Sequence, residues 1–230
     1  MEVNVKQSAI IKIDFTASIV TGGGMRSRIE ELRICYDPRC VDYFEDILKR
    51  RGSSFADSAS GFILLDSLLQ KNKIDRLKTA ILLNTNKRPY IDDPTLDFSV
   101  SHSGGCALCV LAVGDGAAVG CDVQHARDYT EEKLSTLAKT FMNVSELSDL
   151  DKANDRSAEF FKAWTRREAY VKRVGSDIFD NLKTAELSGE YFREGVIYAC
   201  GERYFYSINT LPPPVSDPND EQSEKGGDPE

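Results

Sequence analysis

The stretch LDFSVSHSGGCALCVLAVGDGAAVGCDVQ, residues 96–124, decides the fold class. Phe98-Ser99-Val100 reads as a strand that stops at Ser101-His102-Ser103-Gly104-Gly105. Residues 107–113 and 117–123 read as two further strands. Gly114-Asp115-Gly116 between them is a hairpin signal, because a tight turn selects residues that tolerate positive φ. Near the end of the last strand stand Asp122 and Gln124. Two residues apart on a strand means one face, with Val123 on the other. Hairpins in place of repeated βαβ units predict antiparallel or mixed sheets and an α+β class.

Working outward, residues 9–18 (AIIKIDFTAS) read as a strand and VTGGGM, 20–25, as a flexible loop. No Gly-Lys-Ser/Thr follows that triple glycine, so it is poor ground for a phosphate loop. VDYFEDILKRR, 41–51, shows a helical stripe of Val41, Phe44, Ile47 and Leu48. Lys49-Arg50-Arg51 closes it, where cations favour the helix dipole. Residues 55–69 predict a second helix with Phe62, Leu65, Leu68 and Leu69 inward, and 80–83 a short strand. NTNKRPYIDDP, 84–94, is read as a loop punctuated by two prolines. A helix over 130–141 starts at a Thr130 cap, and Ser145 is the expected cap of a short one. A long helix runs over 155–174 and Gly175 stops it. Residues 194–209 form a last hairpin that turns at Gly201-Glu202.

The 230 residues carry 37 acids and 29 bases, a net charge of −8. Residues 212–230 hold six acids and one lysine, or −5, so the body carries −8 − (−5) = −3. That tail is rich in Pro, Gly, Asp and Glu and has no apolar period, the composition of a disordered segment. A body so close to neutral gives no general case for nucleic-acid binding. No apolar run approaches the roughly 20 residues that span a bilayer. The N-terminus lacks the basic start and long apolar middle of a signal peptide. A cytoplasmic protein with no membrane association is expected. Of the six cysteines, Cys106 and Cys109 form a lone C-x-x-C. A zinc site wants a second pair or matching histidines, so reduced, mostly buried thiols are expected.

Three clusters bear reactive side chains: VSHS (100–103), GCDVQ (120–124) and WTRREAYVK (164–172). Each alone has a plain structural reading. His102 is then a hydrogen-bonded strand end, Asp122 a turn acid, and Glu168 with Lys172 a solvated i,i+4 pair. Glu168 resists that reading, because Phe161, Trp164, Glu168 and Val171 share one helix face. A carboxylate on an apolar stripe is costly to bury unless something pairs with it. A strand-end Asp with a half-buried helix Glu suits a hard divalent cation, and Mg²⁺ takes few carboxylates, several waters and a ligand phosphate. A neighbouring Lys, His and Ser can hold phosphate oxygens. Such a set fits chemistry on a pyrophosphate.

In this order, FSVSHS, GCDVQ and WTRREAYVK resemble the 4′-phosphopantetheinyl transferases, and NKRPY is similar to that family's Gly-Lys-Pro segment. The family pattern is Ser-His-Ser, then Gly-x-Asp-x-Glu, then Trp-x-x-Lys-Glu-Ala/Ser-x-x-x-Lys. Length and layout resemble the surfactin-type branch, whose members are monomers of two pseudo-symmetric halves. The resemblance implies an α+β fold with halves at 1–95 and 96–211, a long helix carrying the WxxxExxxK motif, and the acidic tail at 212–230. It implies Mg²⁺-dependent transfer of 4′-phosphopantetheine from coenzyme A to a serine of an acyl or peptidyl carrier protein. By the same resemblance, Asp122, Gln124 and Glu168 are metal ligands, for Mg²⁺ with Mn²⁺ as the alternative. Glu168 is also the candidate base and Lys172 the catalytic cation. Lys87, Arg88, Ser101, His102 and Lys172 meet coenzyme A.

Departures from the pattern keep other readings open. Gln124 stands where the family has Glu, Arg167 where it has Lys, and Asp57-Ser58-Ala59-Ser60 where it usually has an Arg. A catalytically weak relative that binds coenzyme A or a carrier protein as a regulator is one alternative. Another is a different Mg²⁺ enzyme acting on phosphate esters. Docking of a carrier protein is expected through apolar contact and a basic patch that includes Arg166 and Arg173.

Overall fold

The computed structural model describes residues 12–19, 53–75, 78–84, 88–175 and 182–211. The expected helix at 41–51, the glycine loop at 20–25, Lys87 and the tail at 212–230 lie outside them. The described strands are β1 (Lys12–Ile19), β2 (Ile81–Leu83), β3 (Pro89–Ile91), β4 (Leu96–Ser103), β5 (Cys106–Val113), β6 (Val119–His125), β7 (Tyr191–Ala199) and β8 (Glu202–Thr210). The helices are α1 (Ser53–Lys71), α2 (Glu131–Phe141), α3 (Val144–Lys152) and α4 (Arg156–Val174). Two three-stranded antiparallel sheets have the orders β1-β5-β4 and β6-β8-β7, and β2 pairs with β3. Both orders run first, third, second along the chain, and each sheet carries one 19-residue helix.

The unbroken apolar run CALCVLAV explains how the layers stack. A strand with no polar face must be covered on both sides. Ala107, Cys109 and Leu111 of β5 pack with Phe62, Leu65 and Leu69 of α1 and with Phe98. Leu65, Leu69 and Phe98 are at most 2% exposed, and burial of each is worth roughly 1.5–3 kcal/mol. Cys106, Leu108, Val110 and Ala112 point the other way, onto Val119, Cys121 and Val123 of β6 and onto Ile208 of β8. The layers are therefore α1, first sheet, second sheet and α4. The C-x-x-C pair is split between the two faces of β5, so Cys106 and Cys109 share no site. Among the described residues, Cys106, Cys109 and Cys121 are buried free thiols and Cys200 is an exposed one.

Five expectations need correction. β5 and β6 are not a hairpin. β5 turns back on β4 through Gly104-Gly105, with Ser103 opposite Cys106, and residues 114–116 cross to the second sheet. Gly104 (φ 55°) and Gly105 (φ 85°) both hold the left-handed conformation that a two-residue hairpin loop needs. β4 does not stop before Ser101 but runs on to Ser103. The loop at 84–94 contains β3, whose Pro89 sits at the start of a short strand. Asn143, not Ser145, caps α3, in a capping box with Glu146. The final hairpin turns at Cys200-Gly201, one residue earlier than expected.

Where the two sheets meet, β4 and β6 run side by side in the same direction without backbone pairing. Side chains replace it. Asp97, Ser99, Ser101 and Ser103 accept the backbone N–H groups of Val119, Cys121, Val123 and His125 at 2.8, 3.0, 3.2 and 3.1 Å. The polar alternation of DFSVSHS, which alone reads as a solvent-facing side, is the internal seam of the protein.

Candidate active site

The site begins at a glycine. A Cβ on Gly120 would lie 2.0 Å from the Ala169 carbonyl oxygen and 2.5 Å from the Arg173 nitrogen. Only hydrogen fits where α4 lies across β6. Two residues on, Asp122 faces α4 and is 1% exposed. The helix is fixed at both ends: Asp155 caps its first turn and Gly175, at φ 71°, ends it. Between them the Thr165 and Ser207 hydroxyls meet at 2.8 Å, tying α4 to β8.

Glu168 and Lys172, one turn apart, are thereby aimed at Asp122. Lys172 Nζ donates to Asp122 Oδ1 at 2.7 Å and to Ser101 Oγ at 3.2 Å, and lies 3.6 Å from Glu168 Oε2. Ser101 Oγ donates to Asp122 Oδ1 at 2.7 Å, and Gln124 Nε2 donates to Asp122 Oδ2 at 3.1 Å. Ser103 Oγ reaches Gln124 Oε1 at 3.4 Å. Asp122 is acceptor-only when ionised, so the Gln124 amide must present its nitrogen there.

Burial, and next the negative charge of Asp122, push the Glu168 carboxyl up to about 7, with Lys172 pulling against them. Burial lowers the Lys172 ammonium, but Asp122 and Glu168 outweigh it and hold the pKa above its ordinary value. Two carboxylates thus share a single ammonium, and Glu168 is the one left short of positive charge. The buried Trp164 Nε1 is close enough to Glu168 to favour its ionised form, yet makes no regular hydrogen bond. The indole packs edge-on against Phe141 at 4.8 Å, as expected of a residue that fixes the helix. The donor set of two carboxylates and an amide oxygen suits a hard cation that keeps its own water and phosphate ligands. Among the described residues no group of three His, Cys, Asp or Glu converges, which is unlike a zinc cage.

Residues 118–212, which hold Asp122, Glu168 and Lys172, match the model of the 4′-phosphopantetheinyl transferase superfamily. That part of the chain is similar to the superfamily. The chain is similar to the 4′-phosphopantetheinyl transferase psf-1 of Bacillus pumilus, 32% identical over 45% of this chain and 43% of the relative. A putative 4′-phosphopantetheinyl transferase of Haemophilus influenzae is 28% identical over 60% of this chain and 63% of its own length. The 4′-phosphopantetheinyl transferase HetI of a Nostoc species is 36% identical over 35% and 33%. The chain spans less than two thirds of the length of each of these relatives.

The other residues that the superfamily resemblance singled out are placed less uniformly. His102 is exposed on β4, one residue past Ser101. Arg88 sits at the far end of the seam, with Nη2 at 3.4 Å from Asp97 Oδ1, the Phe98 carbonyl and the Val119 carbonyl. It is not brought to Asp122. Arg166 is paired with Glu194 at 2.7 Å. Arg173 binds Asn209 and, at 2.7 Å, Glu190. Neither is the unengaged surface cation that a basic patch requires. Arg167 is 0% exposed, paired with Glu146 at 2.6 Å and bonded to the carbonyls of Leu182 and Ala185. It anchors α4 to α3 and to the segment that follows the helix. Sequence reasoning missed Asp97, Ser99 and Ser103; their period-two spacing was the signal.

Proposed function

We propose that this protein transfers the 4′-phosphopantetheine group of coenzyme A to a serine of an acyl or peptidyl carrier protein. The observation that carries the reading is the convergence of Asp122, Glu168 and Lys172 from β6 and α4, inside the segment that matches the superfamily. Asp122 and Glu168, with the Gln124 amide oxygen, would hold a Mg²⁺ ion, whose charge offsets that of the pyrophosphate. The serine oxygen of the carrier bonds to the β-phosphorus, and the bond from that phosphorus to the bridging oxygen breaks. Adenosine 3′,5′-bisphosphate leaves with the electron pair. Glu168 accepts the hydroxyl proton, directly or through water. Lys172 offers its ammonium to the phosphate oxygens, and the close packing of α4 on β6 at Gly120 orients both groups before the reactants arrive. His102, exposed beside the site, is the residue we assign to a coenzyme A phosphate.

The matching strand orders of the two sheets support a molecule of two related halves, and with the likeness to psf-1 they favour the single-chain, surfactin-type branch. No helix among the described residues is long and apolar enough to cross a membrane. The test is intact-protein mass spectrometry of an apo carrier protein after incubation with this protein, coenzyme A and Mg²⁺. A gain of one phosphopantetheine group, lost in Glu168→Gln, is the expected result. No gain across several unrelated carriers, with coenzyme A still bound, overturns the transfer reading in favour of a binding role.

A further inference from the structure

We propose that Ser101 is a positioning residue that holds Asp122 and Lys172 in place, and that its hydroxyl does not contact coenzyme A. The inference rests on the transferase reading for its catalytic consequence, but its geometry stands by itself. Ser101 is 6% exposed, between β4, β6 and α4. Its Oγ donates its single proton to Asp122 Oδ1 at 2.7 Å and accepts from Val123 N–H at 3.2 Å and Lys172 Nζ at 3.2 Å. A hydroxyl has one donor and two lone pairs. All three are committed, so nothing is left to receive a phosphate oxygen.

The four rungs of the seam differ in a way that isolates this role. Ser99 Oγ accepts the Cys121 N–H and touches neither Asp122 nor Lys172. Ser101 makes the equivalent rung and also grips the site. The seam is thus connected to the reacting groups at Ser101, directly, and at Ser103, only through the longer contact to Gln124. Displacing Ser101 Oγ removes a proton donor from the Asp122 oxygen that holds Lys172 and an acceptor from Lys172 itself, so both partners lose a contact together.

The test compares Ser99→Ala, Ser101→Ala and Ser101→Thr, each alone and combined with Asp122→Asn, by urea unfolding. Ser99→Ala and Asp122→Asn should add, whereas Ser101→Ala and Asp122→Asn should cost less together than the sum of the single losses. Coenzyme A affinity, measured by calorimetry, should change less than about twofold in Ser101→Ala. In the transfer assay kcat should fall at least about tenfold with KM for coenzyme A unchanged, Ser101→Thr should recover most of it, and Ser99→Ala should keep wild-type turnover. Additivity of Ser101→Ala with Asp122→Asn overturns the proposal, and so does a large loss of coenzyme A affinity. A wild-type protein without transfer activity refutes the transferase reading alone, because the unfolding cycle still decides the tie between Ser101 and Asp122.

Discussion

Substituting Gly120 by Ala should damage stability and site at one stroke. The added Cβ would lie 2.0 Å from the Ala169 carbonyl oxygen and 2.5 Å from the Arg173 nitrogen. Ordinary contact begins near 3.4 Å, so β6 and α4 must part by about 1.4 Å, the amount by which the Cβ contact falls short. Neither neighbour can yield alone, because both are backbone atoms of a helical turn. A shift of that size stretches the 2.7 Å bond between Lys172 and Asp122 and the 2.8 Å contact between Thr165 and Ser207 beyond hydrogen-bond range. Overpacking costs about 1–3 kcal/mol and loss of a charge-assisted hydrogen bond about 1.5–3 kcal/mol, which together give about 2.5–6 kcal/mol. That is a large share of the roughly 5–15 kcal/mol that holds a protein folded. Urea unfolding of the two proteins reads the loss, and the carrier mass assay reads the site. Gly116→Ala is the control: open space surrounds that position, and its φ of 73° leaves only backbone strain. A Gly120→Ala protein within about 1 kcal/mol of wild type and fully active would refute the claim that this contact sets the position of α4.

Folding raises the Glu168 carboxyl from 4.5 to about 7, so the folded protein holds that proton more tightly than the unfolded chain. The stability this contributes is full below about 4.5 and is lost as pH climbs through about 7. Metal-free wild type should therefore lose up to about 3 kcal/mol relative to Glu168→Gln over that window; parallel unfolding curves of the two would show the shift to be absent. Gln124→Glu places a carboxylate where an amide nitrogen now donates to Asp122 at 3.1 Å. It should lower the melting temperature in chelator and be tolerated with Mg²⁺; equal melting temperatures in chelator would contradict the assigned amide orientation. Arg167→Ala leaves the buried side of Glu146 and two carbonyls without their donor and should cost about 3–5 kcal/mol by urea unfolding. A loss under about 1 kcal/mol would mean that solvent reaches this cluster.

Much of the site was legible because its spacing is local. Glu168 and Lys172 share a helix face by the 3.6-residue period, and Asp122 and Gln124 share a strand face by the two-residue period. The cap at Thr130 and the stop at Gly175 follow equally from residues beside them. The errors arose where a local signal has more than one tertiary solution. Gly104-Gly105 and residues 114–116 are both good turns, and only the need to cover both faces of β5 decides which one closes a hairpin. Ser145 and Asn143 are both capping residues, and the return bond from Glu146 selects Asn143. Arg88, Arg166 and Arg173 read as available cations because their acceptors, Asp97, Glu194 and Glu190, are distant from them along the sequence and are brought to them only by the fold.

By itself the sequence determined most of the elements and singled out the candidate site groups, since both are written in short-range periods and residue chemistry. Tertiary structure alone decided that DFSVSHS is an internal seam and that Ser101 is used up within it. It also decided that the glutamate on an apolar stripe lies against Asp122 and Lys172. Those outcomes depend on which strand lies beside which, and a hydroxyl reads the same in a sequence whether it faces water or the backbone of another sheet.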